Sequence, residues 1–286
     1  MGATFVITLR EAFEAALLLG VVYSYLDQVG ARASFRFVTA GAALGLLASV
    51  ASGIAVGYLS GALLDLGPDL VAAVVIFAAV ILLTWHGWWM QQHARALRGD
   101  VQRRIDEARA TQRLWIVGLI AFTGVFREGA ETVLFLWGLM SQMSVTGMSS
   151  IIGGVLGVAV AAALGWAIFA GGRRIPLRRF FDVTSLLLLL VAAGLVCSGI
   201  AKLEGLGVLP AWDPVWDTSW LLRDGGPVGG FLGGLTGYRA RPSLLEVLGY
   251  LGYLALAGSL LFRGRSAPRP GPPRPTPTPL DVATTA

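Results

Sequence analysis

Charge is what this 286-residue chain has least of: 14% of its residues are Asp, Glu, Lys or Arg, against roughly 25% in soluble domains. That shortage excludes an ordinary soluble globular protein and points to the lipid bilayer as its surroundings. Cysteine is nearly absent. Cys197 stands alone in an apolar run, so no intrachain disulfide forms and cysteine says nothing about redox compartment. Lysine is reduced to Lys202. The N-terminus lacks the basic stretch of a cleavable leader, and Arg10, Glu11 and Glu14 interrupt what would be its apolar core. No G-x-x-x-x-G-K-S/T loop is present, which argues against a built-in ATPase. No H-E-x-x-H motif and no pair of membrane-embedded aspartates point to an intramembrane protease.

What fills the chain is apolar side chain, 55% of the residues, with a mean hydropathy of +0.70. Stretches of about 20 apolar residues are long enough to cross the hydrocarbon, and seven are predicted, at roughly 4–26, 37–60, 70–92, 114–140, 150–171, 180–202 and 244–262. The fold class expected is therefore all-α, a polytopic membrane protein of seven transmembrane helices. Arginines collect after the first, third and fifth stretches, at Arg32 and Arg36, at Arg95 to Arg113, and at Arg173 to Arg179. More follow the seventh, while the links after the second and fourth carry no base. Positive charge stays inside, which puts the N-terminus outside and the C-terminus in the cytoplasm of a cell membrane. The net charge of +5 thus reports orientation, and nucleic acid is not an expected partner. Residues 203–243 form the one long outer loop, rich in Gly and Trp, with Trp212, Trp216 and Trp220 as interfacial anchors. Residues 263–286 read as a disordered Pro-rich cytoplasmic tail.

Two strings break the apolar pattern, Arg10-Glu11-Ala12-Phe13-Glu14 and Arg127-Glu128-Gly129-Ala130-Glu131. Each reads R-E-x-x-E and each falls mid-span, where ionisable groups are costly and mark a pathway or site. Aligning Arg10 on Arg127 also matches Phe5 with Phe122, Leu17 with Leu134 and Leu19 with Leu136. Gly41-x-x-x-Gly45 resembles Gly153-x-x-x-Gly157, and Ala78-Ala79 resembles Ala192-Ala193, at nearly the same offset. Three spans per unit makes the second unit inverted relative to the first, an arrangement that places a site near the midplane between repeats. Repeat one runs over about 1–92, repeat two over about 114–202, and the helix at about 244–262 is extra; together they make a membrane domain of 1–262.

On a helix, Arg10 and Glu14 lie about 40° apart and Glu11 and Glu14 about 60° apart, so all three project from one arc, as do Arg127, Glu128 and Glu131. Facing each other, the motifs offer four carboxylates, Glu11, Glu14, Glu128 and Glu131, as hard ligands for a hard cation. Arg10 and Arg127 each pair with a glutamate of their own motif until a cation displaces them. A pair of buried ion-pair clips is the structural alternative, but buried ion pairs stabilise poorly compared with apolar packing.

With these motifs in spans one and four, the chain resembles the oxidase-dependent iron permease family of fungal high-affinity permeases and bacterial EfeU-type proteins. Supporting segments are Trp85 to His93, Ala192-Ala193-Gly194-Leu195, Trp216-Asp217-Thr218-Ser219, Gly237-Tyr238 and Pro242-Ser243. The first motif has Ala12 where the family form carries glycine. The resemblance implies inward iron transport with both motifs binding or passing the ion. Iron is then cargo, not a cofactor, and no cofactor is expected. It also implies an extracytoplasmic partner: a ferroxidase, a haem peroxidase or an iron-binding protein. Hard oxygen ligands favour ferric ion; another hard divalent cation, or proton coupling through the same carboxylates, is the alternative.

Secondary candidates are weaker. His86 and Met90, one turn apart near the inner end of span three, read first as a packed histidine and a gap-filling methionine, with an exit route as the alternative. His93 is expected at the headgroups. Asp65, Asp69, Glu204, Asp213 and Asp217 make the outer face acidic enough to concentrate cations, with Glu204 and Asp217 the leading outer-site residues. Glu246 suits the start of a helix, and Lys202 snorkels to the outer interface.

Overall fold

The computed structural model describes residues 1–64, 68–93, 102–103, 105–107, 115–140, 147–169, 177–224 and 226–263. Asp65, most of the arginine-rich links, the side chain of His93 and the tail from 264 lie outside the described residues. Among the described residues eight long helices carry the fold: α1 Gly2–Gln28, α2 Phe35–Leu64, α3 Pro68–His93, α4 Trp115–Met140, α5 Gly147–Phe169, α6 Leu177–Gly205, α7 Pro227–Thr236 and α8 Leu244–Arg263. No strand occurs among the described residues; Pro214 and Ser243 make one isolated bridge.

Local chemistry sets several ends. α1 stops where Gly30 takes φ 69° and the Ala31 amide reaches back to the Leu26 carbonyl, a left-handed cap that glycine permits at no steric cost. Pro68 opens α3 with Asp69 in its first turn, where the missing amide is harmless and negative charge meets the helix dipole. α8 starts on a reciprocal capping box: Ser243 Oγ accepts from the Glu246 amide at 3.2 Å, and a Glu246 carboxylate oxygen accepts from the Ser243 amide at 3.3 Å.

Among the described residues, four helices are long and apolar enough to cross a membrane: Arg32–Tyr58, Asp69–Met90, Met148–Ile168 and Arg179–Gly205. α1 and α4 have comparable length, but each carries an R-E-x-x-E string at its middle.

Packing crosses the sequence order. α1 packs on α5, α2 on α4 and α3 on α6, while α1 also meets α4. The α2–α4 and α1–α5 contacts are built on glycine at equivalent places. A Cβ on Gly41 would stand 2.0 Å from the Gly118 carbonyl oxygen, and one on Gly153 would stand 2.5 Å from that of Met1. Further along, a Cβ on Gly45 would meet the Phe122 carbonyl oxygen at 2.8 Å, and one on Gly157 the Phe5 carbonyl oxygen at 2.7 Å. The third pair is Gly53 against Val133 and Gly165 against Ala16, each at 3.3 Å. The small residues of the sequence pattern are thus the points where helix backbones touch.

The 203–243 segment is more ordered than a plain outer loop. Its glycine-rich stretch forms α7, with Pro227 in the first turn and Gly237 at φ 74° closing it. α7 rests on α6 and α1, and a Cβ on Gly194 of α6 would lie 2.6 Å from the Gly237 Cα. Nearby, Arg239 pairs with the buried Glu246 at 2.9 Å and donates to Ser198 Oγ at 3.1 Å.

Candidate metal centre

α1 and α4 cross near their middles, and the two strings meet there. Arg10, Glu11, Glu14 and Glu128 are all 5% exposed or less. The third wall is α3, which packs on both α4 and α6 and turns His86 inward at 6% exposure. One potential ligand atom from each of Glu11, Glu14, His86 and Glu128 lies within 4.8 Å of the others. His86 is buried, as the packing reading expects, and its ring also faces carboxylates, with Nε2 3.9 Å from both Glu11 and Glu14 and Nδ1 2.5 Å from Glu131.

The arginines divide the carboxylates. Arg10 Nε donates to Glu14 Oε1 at 2.9 Å. Arg127 donates through both Nε and a terminal nitrogen to Glu128 Oε1, at 3.0 and 2.5 Å, and stands 3.7 Å from Glu131. Its guanidinium lies over the Trp89 ring, 5.3 Å from the centroid, a favourable cation–π position. Both oxygens of Glu11, one oxygen each of Glu14, Glu128 and Glu131, and His86 Nε2 are buried without a hydrogen-bond partner. Buried polar atoms are almost always satisfied. Six unsatisfied atoms gathered in one place are the signature of a site that a cation completes.

With all four carboxylates ionised, the centre holds two negative charges in excess of its two guanidinium groups. At about 4 Å and an effective dielectric near 20, each like-charge pair costs about 4 kcal/mol, which an entering cation relieves. Toward the start of α1 the centre is sealed by a buried apolar cluster including Ile7, Val80, Leu83 and Phe135, with the Phe135 ring centroid 6.3 Å from that of His86. Such a wall lowers the local dielectric and strengthens every charge interaction behind it.

The remaining candidates stand elsewhere. Met90 is half-buried one turn further along α3 and takes no part in these ion pairs. Glu204 accepts from Ser243 Oγ at 2.7 Å. Asp217 accepts from the Ser219 amide at 2.9 Å and from its hydroxyl at 2.5 Å, and pairs with Arg241 at 3.3 Å. The Ser219 hydrogen bonds hold the Asp217 carboxyl below its ordinary range. Both carboxylates are occupied in shaping the 203–243 segment. Lys202 reaches Asp69 at 2.5 Å, tying the end of α6 to the start of α3.

Comparison with known proteins agrees with the motifs. Residues 1–264 match the iron permease FTR1 family. The chain is 31% identical over 257 residues to the ferrous iron permease EfeU of Escherichia coli O6:K15:H31 (strain 536 / UPEC), covering 89% of this chain and 92% of that protein. It is also 31% identical over 265 residues to the ferrous iron permease EfeU of Yersinia pestis, covering 92% and 93%. No solved structure matches.

Proposed function

The chain belongs to the iron permease FTR1 family, and from that membership we propose that it carries iron inward across the plasma membrane through the centre between its two R-E-x-x-E motifs. The observation that carries this reading is the convergence of unsatisfied carboxylate oxygens from the middles of α1 and α4. Glu11, Glu14, Glu128 and Glu131 supply its negative charge; Arg10 and Arg127 neutralise part of that charge until iron arrives.

The wider architecture follows from the same proposal. Seven helices, α1 to α6 and α8, span the bilayer, with the N-terminus outside and the C-terminus in the cytoplasm, as the arginine distribution requires. Residues 1–262 form the membrane domain, from an inverted pair of three-helix repeats, 1–92 and 114–202, and the extra helix 244–262. The matched glycine contacts of α2 on α4 and α1 on α5 support the repeat, since an inverted pair related by a two-fold axis makes each such contact twice. Residues 263–286 are a Pro-rich cytoplasmic tail.

The cargo has two readings. Oxygen ligands suit ferric ion, handed over by an extracytoplasmic ferroxidase, haem peroxidase or iron-binding protein. The names of the relatives, ferrous iron permeases, favour ferrous ion. Radioactive iron uptake into proteoliposomes, run once with a reductant and once with an oxidant, separates the two. Uptake that persists when Glu11, Glu14, Glu128 and Glu131 are each changed to Gln would overturn the permease mechanism itself.

A further inference from the structure

The four motif carboxylates do not occupy equivalent places, and a fifth side chain stands among them. Glu11, Glu14 and Glu128 each present an unpartnered oxygen to the same small volume. Glu131 is 23% exposed at its side chain and lies against the other face of the imidazole, at His86 Nδ1. His86 Nε2, buried and without a hydrogen-bond partner, faces Glu11 and Glu14.

We propose that the transported ion is held by Glu11, Glu14, Glu128 and His86 Nε2, and that Glu131 is a positioning residue acting through the histidine. This rests on the permease reading of the same centre. Ligand atoms around an ion at about 2.1 Å lie at most about 4.2 Å apart when trans, and about 3.4 Å apart in a tetrahedron. The observed spread of 4.8 Å therefore contracts by about 0.6 Å to close on a cation with trans ligands, and by about 1.4 Å to close on a tetrahedral one, within reach of side-chain rotation. A carboxylate on one imidazole nitrogen keeps the proton there and turns the other nitrogen's lone pair to the metal, the usual support for a histidine ligand. The 2.5 Å contact with Glu131 is off the line of a good hydrogen bond, and ion entry draws the ring into alignment.

Two consequences follow for the cargo. Imidazole among carboxylates suits ions of intermediate softness, iron, cobalt and zinc among them, over calcium, magnesium and manganese. The two excess negative charges of the centre are cancelled by a divalent ion, whereas a trivalent one leaves a buried positive charge. Both weigh toward ferrous iron.

The test uses the full chain in detergent or nanodiscs, with Mn²⁺ and Co²⁺ as probes. Pulsed EPR of bound Mn²⁺ should show a directly coordinated nitrogen, absent in His86→Gln. That variant should lose tenfold or more in Co²⁺ affinity and distinctly less in Mn²⁺ affinity. Glu131→Gln should keep the nitrogen signal while weakening Co²⁺ by about tenfold, the lower end for a supporting partner. A wild-type protein that binds Mn²⁺ with no nitrogen signal overturns the assignment without needing any variant to fold. Loss of binding in Glu11→Gln and Glu128→Gln, with His86→Gln unchanged, overturns the histidine alone. Binding undiminished in Glu11→Gln and Glu128→Gln overturns the permease site together with it.

Discussion

The two R-E-x-x-E strings have the same letters and different surroundings. In the first, Arg10 takes the second glutamate, Glu14, and leaves both oxygens of Glu11 open; in the second, Arg127 hydrogen-bonds the first, Glu128, and holds Glu131 only at 3.7 Å, where it also reaches His86. Arg10 is 2% exposed at its side chain and Arg127 38%. The flanking layers differ in the same sense. Ile7 and Phe135 close one side of the centre, at 0% and 1% exposure. Their counterparts under the Arg10–Arg127 alignment are Gly124 and Leu18, which lie against each other and are only half-buried. Two copies of one motif thus share a site in unlike surroundings: the first lies in a sealed, apolar place, and the second reaches the more open side through Arg127 and Glu131.

That contrast can be broken by experiment. The largest effect is expected from Glu11→Gln, whose carboxylate has no arginine partner and only the ion to answer it: iron uptake should fall by about a hundredfold or more, on the scale of 3 kcal/mol lost when a charged contact to an ion disappears, as read by proteoliposome uptake. Arg10→Gln comes next. It leaves Glu14 as an unpaired buried charge, and thermal unfolding in detergent should record a loss of about 3–5 kcal/mol. Arg127→Gln should cost less, about 1–3 kcal/mol, because the Arg127 side chain is itself 38% exposed and already shares its charge with water; equal losses at the two arginines would erase the asymmetry. Gly153→Ala and Gly41→Ala test the repeat instead, and each should destabilise by at least about 1–3 kcal/mol, the cost of overpacking a tight contact. Glu204→Gln and Asp217→Asn mark the small end. Uptake by both should stay within about twofold of wild type, since surface changes are usually worth under about 0.5 kcal/mol.

Much of this was legible beforehand. Apolar runs located the helices, because length and hydropathy alone decide what can cross a bilayer, and the twin motifs announced the centre because charge mid-span needs a reason. The glycines at 41, 45, 153 and 157 signalled close contacts, though only the structure shows their partners, α4 for the first two and α1 for the last two. His86 was hidden by its context. A single histidine in an apolar run has no spacing partner, and its role comes from α3 lying beside α4, a tertiary fact. Which glutamate each arginine chooses was equally unreadable, since both lie within reach on the same arc. α7 was missed because its four glycines and a threonine spoke for a loop, yet Pro227 at its start and Gly237 just past its end carried the helix signature.

The glycine seams have a mechanical meaning. Where carbonyl oxygens of one helix rest against the bare Cα of another, no side chain is left to bend, and close-packed surfaces slide poorly. α1 is therefore coupled to α5 and α2 to α4, so the stiff blocks of this molecule pair an early helix with a late one, and neither half of the chain is a moving part by itself. Any opening of the centre has to part α1 from α4 along the one crossing that carries the acids, as two interlocked hands separate at the fingertips while each grip holds.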